Sequence, residues 1–165
     1  PLAVKGNTQG ISMLFPMEKL FESYVERMLN KDLLPTIELR AQTRKLSLCM
    51  HQKEKFFQLR PDILLHKDTQ CWVLDAKWKR LNDNIDNKYG LSQSDFYQLY
   101  AYGQKYMKGE GEMALIYPAH NQFRSPLPPF DFDEKLRLWV LPFELDGINK
   151  GKVTHEGRTK LPFKH

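Results

Sequence analysis

Phe57-Gln58-Leu59-Arg60-Pro61-Asp62-Ile63-Leu64-Leu65 is followed by the polar stretch His66-Lys67-Asp68-Thr69-Gln70 and then by Cys71-Trp72-Val73-Leu74-Asp75-Ala76-Lys77-Trp78. Two apolar runs flanking a short polar stretch read as a β-hairpin. Side chains alternate along a strand, so Asp75 and Lys77 share one face while Trp72, Leu74, Ala76 and Trp78 cover the other. If the hairpin closes in the ordinary way, Asp62 on the first strand meets Asp75 on the second. Two carboxylates and an ammonium then converge on an otherwise apolar sheet, which is costly unless a cation or a substrate phosphate belongs to the design. Mg²⁺ takes one or two carboxylates together with substrate phosphate oxygens, and this set suits it. The plainer reading is an Asp-x-Lys arising by chance on an exposed sheet edge.

Working outward, Pro16 suits the first turn of a helix, and Phe21, Tyr24, Val25, Met28 and Leu29 recur at helical spacing after it. Glu18, Glu22 and Glu26 fall on a neighbouring face, the usual mark of a solvated surface. Glu22 lies nearest the apolar stripe. Ile37, Leu39 and Ala41 alternate with polar residues as a half-buried strand, and Leu46, Leu48 and Met50 continue the alternation beyond Arg44-Lys45. Those two cations lie in a turn or touch a phosphate. Lys79 and Arg80 follow the central hairpin and lead into an Asn/Asp-rich loop, Asn82 to Asn87, of the kind often found at the mouth of a site.

Ser92 with Asp95 approximates a capping box at the start of a second helix. Its apolar stripe is Phe96, Leu99, Tyr100, Gly103 and Tyr106, and Gly109 is its expected stop. Gln98 and Tyr102, four residues apart, stack on one side of it. Such an aromatic stripe is more often core than ligand site, but a glutamine beside it has an amide able to position a phosphate or a water. Met113–Tyr117 and Leu136–Leu141 read as strands, and residues 146–165 as a polar, basic tail that is either loosely packed or an arm for a polyanion. Helix, strands, helix, strand, strand gives an α/β domain with a mixed central β-sheet flanked by helices.

Composition agrees with one folded domain. The chain has 165 residues, of which 41% are hydrophobic, with a net charge of +5, compatible with a nucleic-acid partner. No apolar run approaches the roughly 20 residues needed to span a bilayer, so no membrane association is expected. Cys49 and Cys71 sit in strand-like runs and are expected as buried thiols of a cytosolic protein. The five histidines are scattered, without zinc spacing. The start, Pro1-Leu2-Ala3-Val4-Lys5, has neither an initiating Met nor a signal-peptide layout, so the chain is read as part of something longer.

Pro61-Asp62, Asp75-x-Lys77 and Gln98-x-x-x-Tyr102, in that order on strand, strand and helix, resemble the PD-(D/E)xK nuclease superfamily, whose core runs αβββαβ. Phe15-Pro16-Met17-Glu18-Lys19-Leu20-Phe21-Glu22, Asp75-Ala76-Lys77-Trp78-Lys79 and Ser94-Asp95-Phe96-Tyr97-Gln98-Leu99-Tyr100-Ala101-Tyr102 look more closely like the McrC family, nuclease subunits of modification-dependent restriction systems. The similarity runs from about residue 11 to 145. The chain departs from the commoner pattern in carrying Asp75 where Glu is more frequent. That shortens the side chain by one methylene.

The resemblance implies an Mg²⁺-dependent DNA endonuclease, with Mn²⁺ as a substitute ion. Asp62, Asp75 and the Ala76 backbone carbonyl hold the metal, and Glu22 completes its shell directly or through water. Lys77 orients or helps deprotonate the nucleophilic water, and Gln98 and Tyr102 steady the nucleophile side or the phosphate. Lys79, Arg80, Arg44 and Lys45 are the expected DNA contacts. The implied partners are DNA containing modified cytosine, the AAA+ motor McrB, which uses GTP not bound by this chain, and an N-terminal domain of the same subunit. A bacterial, cytoplasmic setting follows. Residues 1–14 are then an incoming connection, 15–145 the nuclease domain and 146–165 the tail. The competing readings are a nuclease-like adaptor that stimulates the motor, and another superfamily member such as a RecB-like exonuclease or a junction resolvase.

Overall fold

A computed structural model describes residues 16–33, 35–41, 45–147, 150–155, 158–159 and 161–163. Residues 1–14 and Arg44 lie outside the described residues, and so do the expectations placed on them. Helix α1 (Met17–Asp32) begins after Pro16, whose carbonyl accepts the Leu20 N–H at 3.2 Å, and it buries Phe21, Val25 and Leu29. These recur every four residues, which is the stripe a helix needs to lie on a sheet.

The sheet it covers has six strands in the order β1-β4-β5-β6-β8-β7. They are β1 (Glu38–Ala41), β4 (Ile63–Lys67), β5 (Gln70–Ala76), β6 (Gly111–Pro118), β7 (Phe130–Asp131) and β8 (Leu136–Phe143). Strands β1, β4 and β5 pair antiparallel, β5, β6 and β8 parallel, and β7 returns antiparallel on β8. Between β4 and β5 the turn is only Asp68-Thr69, with Asp68 at φ +52°. The parallel step from β5 to β6 requires a crossover, supplied by helix α2 (Gln93–Met107).

Because the sheet is covered on both sides, β6 reads from Met113 onward as an unbroken apolar run rather than an alternating one. Ile63, Leu65, Trp72, Leu74 and Ala76 pack with α1, whereas Leu64, Val73, Met113 and Leu115 pack with Leu99 and Tyr102 of α2. Gly103 lets α2 approach closely: a Cβ there would stand 2.8 Å from Leu136 Cδ2 and 3.1 Å from Met113 Sδ. Among the described residues, no helix is long and apolar enough to cross a membrane.

Four expectations need revision. Leu46–Met50 alternates but does not join the central sheet. Its strand β2 (Leu46–His51) pairs only with β3 (Glu54–Leu59), a separate two-stranded ribbon that also takes Phe57–Leu59 away from the central hairpin. Period-two alternation is satisfied by any antiparallel neighbour, and here Gln52 and Lys53, both at positive φ, close a tight turn that supplies one locally. Cys49, on that ribbon, is exposed rather than buried. The capping box does not form either: Ser92 precedes α2, but its Oγ lies 2.7 Å from Ser94 Oγ and makes no cap bond. In the segment read as a tail, Val153 and Phe163 are buried, and Phe163 stacks on Trp72 with ring centroids 5.9 Å apart. Strands β9 (Thr154–His155) and β10 (Arg158–Thr159) form a short pair there.

Candidate active site

The register sets the site. Ile63 lies opposite Leu74, so the next pair outward is Asp62 and Asp75. Asp62 Oδ2 accepts the Ala76 N–H at 2.9 Å, tying the first carboxylate to the strand that carries the second. Beyond Ala76, the Lys77 N–H donates to the Ile116 carbonyl at 2.9 Å, so Lys77 is held on β6 as a continuation of β5. Asp75 and Lys77 project to the α2 face, as alternation requires.

There the Lys77 ammonium is surrounded by acceptors. Its Nζ is 2.7 Å from Asp75 Oδ2, donates to Gln98 Oε1 at 3.0 Å, and is 3.9 Å from Asp95 Oδ1. Asp75 is 1% exposed. Burial pushes the Asp62 carboxyl up to about 8, with the Asp75 charge adding to the rise against the Ala76 N–H. Burial also raises Asp75, although Lys77 opposes it. For Lys77, burial works to lower the pKa, but the attraction of Asp75, Asp95 and Asp62 outweighs it and holds the ammonium above its ordinary value. Two carboxylates in so apolar a setting do not both ionise readily unless further positive charge arrives.

Gln98 and Tyr102 both reach this pocket from α2. Tyr102 is buried, and burial followed by the Asp75 and Asp62 charges raises its pKa. Glu22 lies near enough for its charge to raise both Asp62 and Asp75, but its carboxylate is paired with Lys19 Nζ at 2.9 Å. Glu18, from the face read as solvated, accepts the Trp78 N–H at 3.3 Å. Lys79, Arg80 and Lys45 are exposed.

Asp95 is the residue that sequence reasoning assigned elsewhere. Taken as a cap, it faces Lys77 instead. The signal was present: Asp95, Gln98 and Tyr102 are spaced by three and four residues and share one helix face.

Among the described residues, no three His, Cys, Asp or Glu side chains converge as a ready-made metal cage. The donor set is a carboxylate pair whose raised proton affinity marks a deficit of positive charge. It fits a hard divalent ion completed by water and substrate oxygens rather than by protein alone.

An αβββαβ core, with Asp62 just before β4 opposed to Asp75 on β5, makes this a mixed α/β domain compatible with a nuclease-like core. The family model described as "McrBC 5-methylcytosine restriction system component" matches residues 1–118, and the chain belongs to that family. Among solved structures, a chain of a Thermococcus gammatolerans half-complex, from a tetradecameric assembly of McrB AAA+ hexamers with bound McrC, has a similar fold. Its TM-score is 0.57 at 21% identity, over 84% of this chain. This chain spans 30% of the length of that one. No curated protein matches.

Proposed function

We propose that this domain is the nuclease part of a McrC-type subunit, a metal-dependent endodeoxyribonuclease delivered to DNA containing modified cytosine by a GTP-driven McrB-type motor. The observation that carries this reading is the buried Asp75 carboxylate beside the half-buried Asp62, with Lys77 on the same face of the sheet. Family membership and the neighbour's printed association with McrB support the choice of system and partner. GTP belongs to the motor.

Asp62, Asp75 and the Ala76 carbonyl are the residues that would hold Mg²⁺, or Mn²⁺ in its place, with Glu22 reaching the shell once it leaves Lys19. Bound there, the ion would polarise the scissile phosphate and lower the pKa of a water. Lys77, charged and fixed by Gln98, orients the attacking water and offsets the negative charge growing on the phosphate oxygens. Its raised pKa favours this electrostatic role over that of a base. Tyr102, buried one helical turn after Gln98 on α2, would steady the nucleophile side or the phosphate with it. Lys79, Arg80, Lys45 and Arg44 are proposed phosphate contacts.

The test is cleavage of methylated and unmethylated circular DNA by the full-length subunit with its motor, GTP and Mg²⁺, with Asp75→Ala in parallel. Methylation-dependent cutting that vanishes in the variant is expected. Cutting that ignores methylation, GTP and motor points to a stand-alone nuclease. No cutting, with motor GTPase still stimulated, leaves an adaptor.

A further inference from the structure

The β2–β3 ribbon is not used by the site described above. It projects from the chain immediately before Asp62, and from Leu48 to Gln58 its residues are exposed. A free-standing ribbon in water normally sheds its apolar side chains, yet this one presents Leu48, Met50, Phe56 and Phe57, the last 69% exposed. Among them stand Lys53 and Lys55, with Lys45 and Arg60 at the base and Glu54 the one acidic residue. Cationic and aromatic residues interleaved on one exposed element match a polyanion that also offers apolar faces.

Phe57 has φ +57°, a left-handed backbone that bulky residues rarely adopt. Leu48 and Phe57, which the register places opposite each other, accordingly drop out of an otherwise regular ladder. An unusual backbone at an exposed aromatic is a reason to look for a contact there. The base, in contrast, is fixed: the Tyr106 hydroxyl on α2 donates to the Leu59 carbonyl at 3.3 Å and accepts the Leu46 N–H at 3.4 Å. Arg60 is held back on Gln58 Oε1 at 2.7 and 3.1 Å. Tyr106 in turn packs edge-on to Tyr102 of the site.

We propose that the β2–β3 ribbon is a DNA-binding arm that seats in the major groove beside the cleavage site, with Lys53 and Lys55 on phosphates and Phe56 and Phe57 in apolar contact. It rests on the nuclease reading. A two-stranded ribbon fits a groove about 12 Å wide. With roughly 3.3 Å per residue, Phe57 stands no more than about 17 Å from Asp62, so a duplex entering the site passes the arm. Duplex DNA carries a charge about every 1.7 Å, which gives the tip lysines partners wherever the ribbon lands. The arm therefore holds DNA without reading a base.

The experiment measures affinity of the free full-length subunit for a fluorescent duplex in EDTA, by anisotropy, over a range of salt. Two double variants are compared with wild type: Lys53→Gln with Lys55→Gln, and Phe56→Ser with Phe57→Ser. Thermal melts confirm folding, which exposed positions should tolerate. The lysine variant is expected to bind about tenfold more weakly, with a salt slope shallower by about 2. The phenylalanine variant should weaken with its slope unchanged. Wild-type affinity in both variants overturns the arm while leaving the nuclease reading intact, whereas a wild-type subunit that neither binds nor cuts DNA overturns both. Lost assembly with the motor at unchanged DNA affinity makes the ribbon a protein interface and also overturns the proposal.

Discussion

The Asp62 carboxylate accepts the Ala76 N–H at 2.9 Å, and this bond fixes the first acidic residue of the site to the backbone beside the second. Asp62 is thus positioned by the sheet's own register rather than by a flexible loop. A site built on strand ends is rigid enough to hold two repelling carboxylates in place.

Burial of the Asp62 carboxyl, with that repulsion added, gives a pH dependence. The Asp62 carboxyl stands at about 8 in the folded chain against an ordinary 3.8, so the folded state keeps a proton that the unfolded state has lost. Between those values stability falls as pH rises. Melting temperature of the metal-free protein should drop from pH 5 to pH 9, and Asp62→Asn should flatten the drop. Mg²⁺ or Mn²⁺ should restore wild-type stability at high pH but not that of Asp62→Asn. Parallel melting curves for both proteins contradict the assignment.

Gln98 and Asp95 hold Lys77 in line with the carboxylates. Gln98→Ala or Asp95→Asn should lower the single-turnover cleavage rate roughly tenfold, with DNA affinity unchanged, because each displaces the ammonium without removing it. Lys77→Arg should not substitute, since a planar fork cannot occupy the point-like space between Asp75 and Gln98. Wild-type rates in the Gln98 and Asp95 variants would show that the contacts are incidental.

Much of this was legible in the sequence because strand alternation is rigid. Once Asp68-Thr69 is the turn, Asp62 must face Asp75, and Asp75 and Lys77 must share a face. Partnership was not legible: Leu46–Met50 alternates as well as any core strand, and only the three-dimensional course of the chain shows that its partner is β3. Asp95 was misassigned because a short acidic residue three positions after a serine serves equally as cap or counter-ion, and the choice depends on Lys77 lying across the pocket. Phe163 could not be placed, since a lone aromatic among basic residues carries no periodicity.

Phe163 is structural on this account. Phe163→Ala removes its stacking on Trp72 and should cost about 3 kcal/mol, a large part of ordinary domain stability. Urea denaturation checks this; an unchanged midpoint would mean that the C-terminal segment does not belong to the core.

At Gly103 the helix–sheet gap has no room for a branched side chain. Gly103→Val should destabilise by about 1–3 kcal/mol through overpacking against Leu136 and Met113. If the same denaturation assay finds it neutral, α2 sits further from the sheet than described.

The most direct test is the cleavage rate of the assembled complex on methylated DNA for wild type, Asp62→Asn, Asp75→Asn and Lys77→Ala, each shown to be folded. The account predicts a loss of about 10³-fold or more in every variant, with motor GTPase retained. Cleavage at wild-type rate by any one of them would contradict the assignment of these residues to phosphodiester hydrolysis.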